Sequence, residues 1–81
     1  MSPRLRVLSG QQVVSALRSV GFSIARTRGS HATLTRMTAG ERQTLTVPLH
    51  KELAPGALQA IYRQALKFVA PEELRSYFFH D

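Results

Sequence analysis

Two histidines and three basic side chains stand beside turn-forming residues: His31 follows Gly29-Ser30, His50 follows Val47-Pro48-Leu49, and Arg26, Arg28 and Lys51 flank them. Histidine titrates near neutral pH and serves as base or acid in proton transfer. Arginine and lysine hold phosphates and stabilise added negative charge. Gly29 lets a ligand approach the backbone closely, and Ser30 offers a hydroxyl to a phosphate oxygen besides forming a turn. Together these types fit acid–base chemistry beside an anion. Ser30 is not read as a nucleophile, because no Asp-His pattern accompanies it. Three histidines without an ordered carboxylate spacing make no metal site, and no cofactor is expected.

Composition points the same way. Eleven Lys and Arg against five Asp and Glu leave a net charge of +6 on 81 residues, which attracts polyanions and makes nucleic acid the leading partner class. On composition alone, basicity that serves only solubility stays open beside it. With no cysteine, disulfides, thiolate nucleophiles and cysteine zinc sites are excluded. The basic start, Met1 to Leu8, lacks a following apolar stretch, so neither a signal peptide nor a membrane anchor is read there and a cytoplasmic protein is expected. The length supports one domain, 1–81, with its core at about residues 9–79.

The elements that position these residues follow from periodicity. Ser9-Gly10-Gln11-Gln12 has the form of a capping box, Val13, Val14, Leu17 and Val20 recur at helical spacing, and Gly21 supplies the stop. From Phe22 the period changes to two. Phe22 and Ile24, Ala32 and Leu34, then Leu45, Val47 and Leu49 describe three strands, each with one buried face, joined at Gly29-Ser30 and Thr38-Ala39-Gly40-Glu41. Pro55 opens a second helix with Leu58, Ile61, Tyr62, Ala65, Leu66 and Val69 as its apolar stripe. Pro71 opens a short third one, where Glu72 and Glu73 suit the dipole and Leu74, Tyr77 and Phe78 return to the core. His80 and Asp81 are expected to be a loose end. The fold class is α+β: α-β-β-β-α, a three-stranded antiparallel sheet with helices on one face, plus the short C-terminal helix. That is the arrangement of double-stranded-RNA-binding domains.

Cross-strand partners must share a face, which fixes register. Pairing Leu34 with Leu45 and Ala32 with Val47 puts His31 opposite Pro48, pointing away from the helices. In the first hairpin, pairing Ile24 with Leu34 favours a three-residue loop, Arg28-Gly29-Ser30, with Thr27 opposite His31 and Arg26 turned toward the helices. A two-residue Gly29-Ser30 turn would put Ile24 on the face of Thr35. His50 shares the strand-face parity of His31 and is expected diagonally from it, as the candidate for a second proton-transfer group. The aromatic residues fall mostly on core positions, so base stacking by them is not expected.

The segments Val20-Gly21-Phe22, Arg28-Gly29-Ser30-His31, Val47-Pro48-Leu49-His50, Lys51-Glu52-Leu53-Ala54-Pro55-Gly56-Ala57-Leu58 and Ile61-Tyr62-Arg63-Gln64-Ala65 resemble, in order and spacing, the HicA family of messenger-RNA interferases. The resemblance covers roughly Ser9 to Ala65. It implies a double-stranded-RNA-binding-like fold, RNA cleavage without the ribosome, and neutralisation by a HicB-like antitoxin. The family's essential histidine lies in its Gly-Ser-His element, which corresponds to Gly29-Ser30-His31. One departure is that a glycine commonly follows the Gln-Ala pair, whereas Leu66-Lys67-Phe68-Val69 follows here, so a longer second helix is expected. The aromatic Tyr77-Phe78-Phe79 cluster is not assigned by the family pattern.

On spacing alone, a surface histidine at a strand end is the simpler reading of His31; the Gly-Ser-His match turns it into the catalytic residue of a metal-independent endoribonuclease. Arg26, Arg28, Gly29, Ser30 and Lys51 are then the RNA-binding residues. The alternative is a non-catalytic RNA-binding module that reads shape through phosphates and 2′-hydroxyls. It explains charge and fold but not Gly29-Ser30-His31 followed by Pro48-Leu49-His50.

Overall fold

The structure, a computed structural model, describes residues 4–80. Its elements are β1 (Arg4–Leu5), α1 (Gly10–Ser19), β2 (Ser23–Arg28), β3 (His31–Thr38), β4 (Glu41–Pro48), α2 (Pro55–Ala65), α3 (Pro71–Phe78) and β5 (Phe79–His80). The central sheet has the order β2-β3-β4, antiparallel throughout, with the helices over one face. This is an α+β arrangement compatible with the double-stranded-RNA-binding fold.

The first helix forms as its sequence dictates. Ser9 Oγ accepts from the Gln12 backbone N–H at 3.1 Å, and Gln12 Oε1 accepts from the Ser9 N–H at 2.8 Å, which completes the capping box. At the other end Gly21 N–H donates to Arg18 O and Phe22 N–H to Leu17 O, the pair of bonds that closes a Schellman motif. Val13 and Leu17 face inward and meet Leu34, Leu45 and Val47 from the sheet, Leu58, Ile61 and Ala65 from α2, and Leu74 and Phe78 from α3. Burying each of the Val, Leu, Ile and Phe side chains contributes about 1.5–3 kcal/mol. This cluster fixes which sheet face is covered and leaves the other face open.

Several expectations need correction. The second helix does not run on through Leu66–Val69 but ends at Ala65. Lys67 N–H bonds back to Gln64 O and Phe68 N–H to Ala65 O, a tightening turn, and the approaching Pro71 disfavours helical backbone at Ala70. Val69 still enters the core, though from this turn rather than from the helix. Tyr77 does not return to the core; it is 38% exposed. His80 is not a loose end, because Arg4 pairs with His80 and Leu5 with Phe79 in a two-stranded sheet that the residue pattern did not reveal. The aromatic cluster now has a structural task. Tyr62 packs against Phe78 with ring centroids 5.2 Å apart and edge-on against Phe79 at 5.0 Å, fastening the C-terminus to α2. Asp81 and the first three residues of the basic N-terminus lie outside the described residues. No helix among the described residues is long and apolar enough to cross a membrane.

Candidate functional site: the open end of the sheet

In the second hairpin the register is the expected one, Leu34 opposite Leu45, Ala32 opposite Val47 and His31 opposite Pro48. His31 is exposed on the face away from the helices, since Ala32 and Leu34 are buried on the other.

The first hairpin is built differently from expectation. Its loop is the two-residue Gly29-Ser30 turn, and Arg28, not Thr27, stands opposite His31. Gly29 takes a φ of 57° and Ser30 does not share the left-handed region, the pattern of a type II′ turn, which suits the strand twist. Ile24 nevertheless remains opposite Leu34, because β2 carries one extra residue: Ile24 pairs with Leu34, Arg26 with Thr33, and Ala25 is the bulge between them. By alternation alone, turn length and facing are a forced choice; the bulge satisfies both. The short turn has a functional consequence. Arg26, expected toward the helices, instead shares the open face with Thr33, and Arg28 shares it with His31. The two-residue turn thus brings both arginines to the histidine's side, and the bulge returns Ile24 to the helix side.

Gly29-Ser30-His31 and Pro48-Leu49-His50, far apart in sequence, are joined directly here. Pro48 is the partner of His31, and Leu49 N–H donates to Ser30 O, extending the ladder one step past the strand. β4 ends at Pro48, so strand parity does not carry to His50; its backbone carbonyl accepts the Gly10 N–H at 2.9 Å, which ties α1 to this end of the sheet. Lys51 follows on an exposed bend at the same end, outside the strand.

Gly10 is the residue that sequence reasoning missed. A Cβ there would collide with Pro48 O and lie 2.7 Å from Leu49 Cα, so only glycine lets the start of α1 approach the strand end. The signal was a glycine inside a first helical turn, where nearly any other residue favours helix more.

The site is a platform, not a cleft. Two surface depressions flank α1, one touching Arg6, Gln12 and Tyr77 and the other Gln11, Arg18 and Ile24; His31 lines neither. An exposed histidine with arginines beside it on an open sheet suits a polymeric anion that can lie across it.

A family model described as the HicA toxin of bacterial toxin-antitoxin systems matches residues 10–66. The chain belongs to the HicA family. The match begins at Gly10 and ends just after α2, so it takes in both motif segments at the His31 end and omits α3 with the β1–β5 pair. No curated protein and no solved structure matches the chain. As a HicA-family member it is the toxin of a toxin–antitoxin system, and an antitoxin is the partner that this membership implies.

Proposed function

We propose that this HicA-family toxin is a metal-independent endoribonuclease acting on messenger RNA in the cytoplasm, with His31 as its general acid/base, and that a HicB-like antitoxin holds it inactive. The observation that carries the reading is the pairing of His31 with Arg28 on the open sheet face of a chain in this family.

In such a reaction the ribose 2′-oxygen attacks the adjacent phosphorus while the bond to the 5′-oxygen breaks. A base takes the 2′-hydroxyl proton, an acid gives one to the departing oxygen, and donors stabilise the phosphorane's extra charge. His31 supplies proton transfer. Arg28 opposite it and Arg26 further along β2 hold the phosphate, the Gly29-Ser30 turn brings backbone near it, and Lys51 adds positive charge at the rim. His50, beyond the end of β4 and bonded through its carbonyl to Gly10, acts as a brace for this end.

The test is incubation of labelled messenger RNA with the native protein and with His31→Ala, in EDTA, with products resolved on a gel. Cleavage by the native protein alone is expected. Binding without cleavage by either would instead support a non-catalytic RNA-binding module.

A further inference from the structure

The open face does not stop at His31. Along β3 it continues through Thr33, Thr35 and Met37, which stand opposite Thr46, Thr44 and Arg42 of β4. β2 adds Arg26 opposite Thr33 and Ser23 opposite Thr35. The face carries three arginines and no carboxylate: Glu41, next to Arg42, pairs with Thr38 and by alternation belongs to the other side.

We propose that this face is an extended subsite for single-stranded RNA, along which the strand runs from Arg28 and His31 past the threonine hydroxyls to Arg42. The proposal rests on the ribonuclease reading above and gives its substrate a path. From His31 to Met37, the cross-strand partner of Arg42, β3 covers a span of ~20 Å at ~3.3 Å per residue. Three strands ~4.8 Å apart make a platform ~10 Å across, room for one nucleic-acid strand. Threonine hydroxyls both donate and accept, which matches phosphate oxygens and 2′-hydroxyls. Met37, 63% exposed, gives a flexible apolar contact for a base or ribose at the far end. No Phe, Tyr or Trp stands on the face beyond His31, so bases along it are not gripped by stacking and recognition there is of the backbone. Affinity therefore grows with RNA length and depends weakly on sequence away from the cut.

Distance makes the idea testable. Arg42 lies well beyond the ~8 Å Debye length at physiological salt from the His31 end, so it acts on the reaction only through a ligand that spans the face. A cut site is first located in a messenger RNA with the native protein. RNAs of about three and about ten nucleotides around that cut are then compared for KM and kcat. For the longer RNA, Arg42→Glu is expected to raise KM about tenfold with kcat unchanged, while the shorter RNA is cut as before. A Thr44→Val, Thr46→Val pair, which retains β-branching and removes the hydroxyls, shifts the longer RNA the same way. Arg63→Glu, the same charge change on exposed α2, leaves both substrates unaffected. Equal effects of Arg42→Glu and Arg63→Glu, or equal KM for long and short RNA, would overturn the subsite and leave the ribonuclease intact. A native protein that cuts no RNA of any length overturns both.

Discussion

Arg36 and Arg28 belong to the same sheet and do opposite things. Arg36 is half-buried on the helix side: its Nε donates to Gln43 Oε1 at 2.8 Å, Nη1 to Val20 O at 2.9 Å and Nη2 to Phe68 O at 2.6 Å, and its guanidinium lies 5.1 Å from the centre of the Phe22 ring. One cation thereby satisfies the carbonyl at the end of α1 and another in the turn after α2, and locks both to the sheet. Arg28 is exposed beside His31. One end of the sheet spends its guanidinium on the protein's own carbonyls; the other holds its guanidinium out toward solvent, where a phosphate can take the same donors. Strand parity separates the two roles, since Arg36 shares the face of Leu34 while Arg28 shares that of His31.

This contrast breaks most sharply at the histidine. His31→Ala is expected to reduce RNA cleavage by about 10²–10⁴-fold, the range for removal of a proton-transfer group, with unfolding free energy changed by no more than about 0.5 kcal/mol. A gel assay paired with a urea titration of the same preparation checks both halves, and a large drop in stability would move His31 to a structural role. Arg36→Met should do the reverse. It leaves carbonyls at two element ends without their charged donor and lowers stability by about 2–4 kcal/mol, read as a lower urea midpoint at constant slope, with cleavage per folded molecule retained. Arg36→Lys does not restore it, because an ammonium cannot reproduce the planar three-way fork.

Smaller effects test how the two ends are built. Gly10→Ala gains at most about 1 kcal/mol of helix propensity, since Gly10 is the first residue of α1, yet the added methyl meets Pro48 O and forces the helix start away from the strand. The net expectation is a destabilisation of about 1–3 kcal/mol, and a urea midpoint above that of the native protein would show that this junction opens to admit a methyl group without cost. Arg28→Ala, introduced into the inactive His31→Ala protein, should weaken RNA binding several-fold without lowering the melting temperature. The log–log salt dependence of that binding flattens by about 0.7 for each phosphate no longer neutralised. At the turn between β3 and β4, Ala39 has a φ of 53°, unfavourable for a side chain with a Cβ. Ala39→Asn is expected to raise stability by about 0.5–1 kcal/mol, measured by thermal melting.

Much of this molecule is legible in the order of its residues. The capping box at Ser9 and Gln12, the three strands, the register of the second hairpin and the exposed side of His31 all follow from patterns within a few residues, because local hydrogen bonding and the two-residue period of a strand leave few alternatives. The Ala25 bulge was not legible, since an extra residue in an edge strand leaves no mark on an alternation that is exposed on both faces. Arg36 was hidden for a similar reason: a positive charge inside a strand reads as solvent-facing until the two carbonyls it meets are brought together from Val20 and Phe68.

The sequence by itself therefore determined the three helices, the three strands of the central sheet, the covered side of that sheet and the family to which the chain belongs. Only the tertiary structure decided which arginines join His31, where the second helix stops, and that Arg4-Leu5 and Phe79-His80 meet in a sheet of their own. Local pattern suffices where the deciding bonds lie within one turn or one strand pair. Contacts between residues such as Arg36 and Phe68, or Arg4 and His80, are fixed by packing of the whole chain.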